Sequence, residues 1–177
     1  MKIIFLFTLV LFSWASSTAQ VSNYSSEPNT GVQQGAKMVQ DEFGNIYAFG
    51  KYTDTLRIAD LSVISAGYFD VYLAKFNSAF EPVWLQSFGG VNDDGAGDIA
   101  YHNGRLYCTG WYAGAMSIGD MEFEFEATYN QYPGYVFSVD ADGTVVNARS
   151  FRTFNSIVAY GAGIDVDDSG IVIAGNM

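Results

Sequence analysis

A chain of 177 residues with 19 acidic against 8 basic side chains, and a formal net charge of −11, lacks the clustered Lys and Arg that nucleic acid or an anionic membrane surface requires. One cysteine excludes a disulfide within the chain, and one histidine excludes a three-histidine metal centre. Half of the residues are apolar, enough to build a core.

Residues 1–19 read as a cleavable secretory signal peptide. Lys2 precedes an apolar run from Ile3 to Phe12, and the small residues Ser17 and Ala19 mark a cleavage site near Ala19. The run is too short to cross a bilayer and no later stretch is apolar enough, so the mature chain is expected to be secreted or held at the outer cell surface without a membrane span. No cysteine follows the run to carry a lipoprotein anchor. Loss of Lys2 with the leader makes the mature chain more acidic still, a charge that serves solubility or, alternatively, a cation-dependent role. Residues 20–34 form a polar lead-in without alternation, read as a mobile segment or a degenerate edge strand.

After the lead-in the chain repeats itself. Gly35, Ala36, Gly44, Tyr47, Gly50, Tyr52, Ile58 and Asp60 recur sixty residues later as Gly95, Ala96, Gly104, Tyr107, Gly110, Tyr112, Ile118 and Asp120. About two identities are expected in such a window by composition, so the eight found mark a duplicated unit. Every segment reads as β structure, with short apolar or alternating runs closed by Gly, Asn and Asp, and no helix is expected beyond the leader. Strands are predicted at Ile46 to Tyr52, Val71 to Phe76 and Val83 to Phe88 in the first unit. Their counterparts in the second are Leu106 to Tyr112, Tyr135 to Val139 and Val145 to Phe151. The spacing grows to sixty-three by Ser150-Phe151, which puts an insertion in a loop. Met121, Phe123 and Phe125 alternate with Glu122, Glu124 and Glu126, a strand with one wet face, and Gly119-Asp120 and Ala59-Asp60 provide hairpin turns before it and its counterpart. A third unit opens at Gly161 and lies sixty-six residues after the second by its turn glycine, but sixty-five by its strands.

These residues resemble the repeats of secreted bacterial β-propellers often called SBBP repeats. The resemblance rests on Asp41-Glu42-Phe43-Gly44-Asn45-Ile46-Tyr47-Ala48-Phe49-Gly50, on Asp70-Val71-Tyr72-Leu73-Ala74-Lys75-Phe76-Asn77, and on Trp84 with Ser87-Phe88-Gly89-Gly90. The second unit departs from the pattern, with Gly134, Ser138 and Asn147 at the places of Val71, Lys75 and Trp84. The resemblance implies an all-β, partial β-propeller of antiparallel four-stranded blades: residues 35–94 as repeat 1, 95–160 as repeat 2 and 161–177 as an incomplete repeat 3. Proteins of this kind are usually exported and commonly end in a sorting domain for the outer surface. Because a propeller typically has ~4–8 blades, the chain is expected to be the N-terminal piece of a longer product whose downstream blades are its partners.

Chemistry is sparse. There is no Gly-x-Ser-x-Gly elbow, phosphate-cradling glycine loop or cysteine pair, and no catalytic, cofactor or metal residue is assigned. Cys108 takes the place of Ala48 inside a strand and reads as a small buried residue, with a reactive thiol or intermolecular bridge as the alternative. His102 reads as a solvated turn residue at the place of Glu42. Asp140-Ala141-Asp142-Gly143 looks like part of a calcium loop but lacks the third acid and the distal Glu, so an Asx turn between strands is the simpler reading. Asn92-Asp93-Asp94-Gly95 and Asp165 to Asp168 are further acidic groups. Trp84 is expected in the core. Trp111, which replaces Lys51, is expected to be exposed and is the one candidate ligand contact.

The expected function is a noncatalytic, exported repeat scaffold for cell-surface adhesion or protein interaction. A carbohydrate-binding propeller using Trp111 and the aromatic stretch Tyr129 to Tyr135 is the alternative, and a fragment of a secreted enzyme with its catalytic residues elsewhere is the weaker one. If Ile171 to Ala174 ends in an open apolar edge, the mature chain should self-associate in size-exclusion chromatography, increasingly so as salt screens its acidic surface. A single monomer peak across the salt series would count against that edge.

Overall fold

The computed structural model describes residues 31–125, 132–152 and 160–176, and these are all β strands and their connections, without a helix. The signal peptide at 1–19, most of the lead-in, and 129–131 of the aromatic stretch lie outside the described residues. In chain order the strands are β1 (Gln33–Gln40), β2 (Ile46–Tyr52), β3 (Thr55–Ile58), β4 (Leu61–Ile64), β5 (Asp70–Phe76), β6 (Pro82–Phe88) and β7 (Asp94–His102). They continue as β8 (Arg105–Tyr112), β9 (Ala115–Ile118), β10 (Met121–Glu124), β11 (Gly134–Asp140), β12 (Val145–Phe151), β13 (Tyr160–Asp167) and β14 (Gly170–Asn176).

Two four-stranded antiparallel sheets share one topology, ordered β1-β2-β5-β6 and β7-β8-β11-β12, and each sends out a two-stranded hairpin, β3-β4 or β9-β10, between its second and third strands. The hairpin β13-β14 repeats the start of the pattern. None of these sheets closes on itself. β1 begins at Gln33, inside the segment read as lead-in, where Val32 and Thr53 tie the chain to the first sheet.

The repeat is not free of gaps. Tyr47 and Tyr107 are equivalent, but Lys37 faces Phe49 while Asp98 faces Thr109, so β1 and β7 are offset by sixty-one residues and β2 and β8 by sixty. The cause is the connection. Asp41–Asn45 joins β1 to β2, whereas Asn103-Gly104, with φ of 49° and 80°, makes a tight two-residue turn between β7 and β8. His102 is therefore the last residue of β7, opposite Arg105, and not a turn residue in the place of Glu42. In the third unit Ile164 faces Ile173 as Ile99 faces Cys108, which sets the spacing at sixty-five and leaves the turn glycine displaced by one.

Three connections use one design. At Asp41–Asn45, Asn77–Glu81 and Asp140–Thr144 the first residue's N–H donates to the last carbonyl, and the fourth residue's N–H donates to the first carbonyl. The fourth position is left-handed, and Gly44 and Gly143 fill it with φ of 82° and 98°. Phe80 fills the third case at φ 64°, where its Cβ crowds the backbone, and its ring lies exposed.

The sheets stack in series through opposite faces. Tyr47, Phe49, Val71 and Leu73 of the first sheet meet Leu106, Cys108, Tyr135, Phe137 and Val139 of the second in one core. Phe137 is its centre, with ring centroids 6.0 Å from Phe49 and 4.9 Å from Phe88. The other face of the second sheet carries Thr109, whose hydroxyl lies against Gly161 of β13, and Asp98 accepts the N–H of Ile164 at 3.1 Å.

Removing the crowded Cβ by Phe80→Gly should stabilise the protein by about 1 kcal/mol, since no buried contact is lost. A rise in the urea midpoint checks this, and an unchanged or lower midpoint would contradict it.

Candidate functional site

Trp111 lies on β8, opposite Gly95 and Gly134, and is half-buried. Its indole covers Gly95 so closely that a Cβ there would stand 2.2 Å from the ring. The ring of Tyr132 meets it edge-on at 5.0 Å, and Lys51 of the first sheet sits over it at 5.9 Å while lying 4.4 Å over Phe69. Lys51 and Trp111 occupy equivalent places in successive units, so the substitution seen in the sequence creates a cation–π contact between them. This indole is wedged, not free-standing as expected.

The junction of the first and second sheets is more strongly built. Lys75 donates to the Ala141 carbonyl at 2.9 Å, Trp84 to the same oxygen at 3.3 Å, and Gln86 to the Gly143 carbonyl at 2.8 Å. The Asp140–Gly143 turn thus spends its outward carbonyls on side chains of the first sheet. Asp142 accepts the N–H of Thr144 as an Asx turn does, but Asp140 bonds to Arg105 across the sheet and not to local backbone. Gly89 and Ser117 exchange two backbone hydrogen bonds across the junction. Trp84 is only partly buried, packed on the edge of the core 6.0 Å from Tyr47.

At the end of this seam a groove of about 710 Å³ runs past Ile64, Asp70, Phe88, Gly89, Ser117 and Asp120. Asp70, the first residue of β5, lines it with 2% exposure, and Asp94, the first residue of β7, is buried behind it at 0%. Each carboxyl ties down a loop. Asp70 Oδ2 accepts the N–H of Ala66 at 2.7 Å, and Asp94 accepts those of Gly90 at 2.8 Å and Ala113 at 3.4 Å. Phe69 bridges the two strands, donating to Asp93 at 3.3 Å and accepting from the Asp94 N–H at 2.7 Å. Both carboxyls face the same point above Gly89: a Cβ on that residue would lie 2.7 Å from Asp70 Oδ1 and 2.8 Å from Asp94 Oδ2. Asp70 Oδ1 is buried and has no hydrogen-bond partner among the described residues.

Burial raises both groups, since a carboxylate out of water is penalised. Asp94 is pushed up to about 8, against the Gly90 N–H and with added repulsion from Asp70. Asp70 is raised by burial despite the N–H groups of Ala66 and Gly67. The pair does not recur. Pro133 stands at the place of Asp70 in the second unit, and Gln33 at that of Asp94 in the first. In the sequence Asp94 stands among acidic neighbours and Asp70 within a strand motif, so neither is singled out. A signal was present, because each acid opens a strand in one unit and is absent from the equivalent place in another.

The remaining candidates are structural. His102 pairs with Asp168 of the third unit at 2.9 Å, and Tyr101 donates to Glu42 of the first. Asp167 accepts from the Ser169 N–H and hydroxyl and the Gly170 N–H, closing the β13-β14 turn. Among the described residues no group of three or more His, Cys, Asp or Glu is arranged to hold a metal ion, and no helix is long and apolar enough to cross a membrane. No protein-family model matches the chain, and no curated protein matches it.

Cys108 is fully buried at the place of Ala48, facing Phe137 on the neighbouring strand, and burial pushes its thiol well above the usual range. It should resist a thiol reagent in the native protein and react fully in denaturant. Rapid labelling without denaturant would show the core open at this point.

Proposed function

We propose that the chain is part of an exported, noncatalytic β-propeller scaffold that presents its loops for adhesion or protein interaction at the cell surface. The observation that carries this reading is the serial stacking of sheets of identical topology, with one face of each laid on the opposite face of the next. Radially arranged blades use this packing, and what varies between units is then the loops. Export rests on the leader at 1–19. The absence of an assigned nucleophile or acid–base pair open to substrate favours binding over turnover. The two buried acids tie backbone N–H groups and have no exposed oxygen to offer at Asp70 Oδ1.

A carbohydrate-binding propeller is the second reading, favoured by the Trp111–Tyr132 aromatic pair. Half-buried rings leave little face for a sugar to stack on, which ranks it below protein contact. The mature protein should bind the surface of the producing cells equally before and after enzymatic deglycosylation, and should give no signal on a glycan array. Binding lost on deglycosylation, with an array signal that Trp111→Ala abolishes, would select the carbohydrate reading instead.

A further inference from the structure

The seam between the first two sheets contains a chemical inconsistency as long as Asp70 and Asp94 are both ionised. Two carboxylates aimed at one point, both out of water, would repel each other, and Asp70 Oδ1 would remain an orphan acceptor. A single proton between them removes both costs. We propose that Asp70 and Asp94 share one proton in an O–H···O⁻ bond over the Gly89 backbone, and that this bond is a pH-sensitive latch holding the first sheet to the second.

The position makes the bond a latch. Asp70 opens β5 and holds the turn at Ala66, whereas Asp94 opens β7 and holds Gly90 and Ala113. The Gly89–Ser117 pair and the Phe69–Asp94 bond lie directly beside them, so charge repulsion here acts on the hydrogen bonds that cross the junction. Gly89 is required by the same geometry, because any Cβ there would come within 2.5 Å of the Asp70 carboxyl carbon. The cation beside the pair, Lys51 of β2, stands over the rings of Phe69 and Trp111. Among the described residues, Asp93 on the approach to β7, Tyr52 on β2, Tyr112 on β8 and Tyr135 on β11 are coupled electrostatically to the pair. β6 and β9 contribute no ionisable side chain.

The direction of the pH effect follows from linkage. Free aspartate titrates near pH ~3.9, so above that the unfolded chain has released a proton that the folded pair retains. Stability conferred by the shared proton is complete only below pH ~3.9, falls as pH rises from there, and is lost once pH passes about 8, where Asp94 titrates in the folded protein.

The substitution that isolates the effect is Asp70→Asn. Its amide nitrogen can take the place of Oδ1 and donate to Asp94, while its oxygen keeps the bond from Ala66; Asp94→Asn lacks this option, because an amide nitrogen at Oδ2 would confront the Gly90 N–H. Wild-type protein should melt on the order of 5 °C lower at about pH 9 than at about pH 5. D70N should lose most of that difference and melt above wild type at the higher pH. Amide exchange at Gly89 and Ser117, corrected for base catalysis, should accelerate with pH in wild type and not in D70N. Should D70N not fold, infrared spectra of wild type decide: a protonated-carboxyl band is expected at neutral pH and should disappear in alkali. A pH dependence unchanged in D70N, or no such band, would overturn the shared proton. So would calcium raising the wild-type melting temperature in alkali but not that of D70N, because the pair would then be a cation site.

Discussion

A four-stranded sheet that is apolar on both faces cannot stand alone in water, and the rest of this structure follows from how that surface is covered. Phe49, Val71 and Leu73 on one sheet and Cys108, Tyr135, Phe137 and Val139 on the next each contribute one face to a shared core. A fully buried aromatic or aliphatic side chain contributes about 1.5–3 kcal/mol, so a dozen of them dominate any surface ion pair. Stability therefore resides in the interfaces between units as much as in the units. The second sheet, apolar on one face and closed by Thr109 and Asp98 against β13 on the other, has meaning only between two neighbours.

The same constraint explains the glycines. Gly110 stands where a Cβ would come within 2.0 Å of the Gly95 carbonyl and 2.4 Å of the Tyr135 hydroxyl, and Tyr135 donates that hydroxyl to the Gly95 carbonyl at 2.9 Å. A side chain at 110 would break a buried tyrosine bond and part β7 from β8. Gly50 lies in the same relation to Gly35 and Tyr72. Gly50 and Gly110, one of the identities that reveal the repeat, are thus places where packing tolerates one residue type.

Element types and topology were legible because they depend on local patterns: alternation at Met121 to Glu124, turn residues at Ala59-Asp60 and Gly119-Asp120, and the doubled Gly and Tyr positions. Register was less so. The equivalent pairs Gln40–Ile46 and Tyr101–Leu106 enclose one residue fewer in the second unit, which shifts β7 against β1, and Gly35 and Gly95 still coincide in an alignment without gaps since identity does not report which residue faces which. Exposure of Trp111 was misjudged for a related reason. Its partners, Lys51 and Tyr132, come from another unit and from the approach to β11, and a position that tolerates lysine in one unit can still be covered in the next when the lysine is itself the cover.

The acidic pair lies beyond what a linear pattern can show. Asp70 and Asp94 are separated by an entire hairpin, and only the return of the chain past Phe88 and Gly89 brings their carboxyls to one point. Each taken singly is ordinary, an acid that opens a strand and ties down a neighbouring loop. Together they place an ionisable bond at the seam whose packing carries the fold, and the equivalent places elsewhere hold Pro133 and Gln33. A device needed for sheet geometry alone would recur in each unit as the glycines and tyrosines do. One that does not recur sets this junction apart, and because the other buried acid among the described residues, Asp41, is saturated by Phe43, Asn45 and Tyr47, it is at this junction that pH reaches the interior.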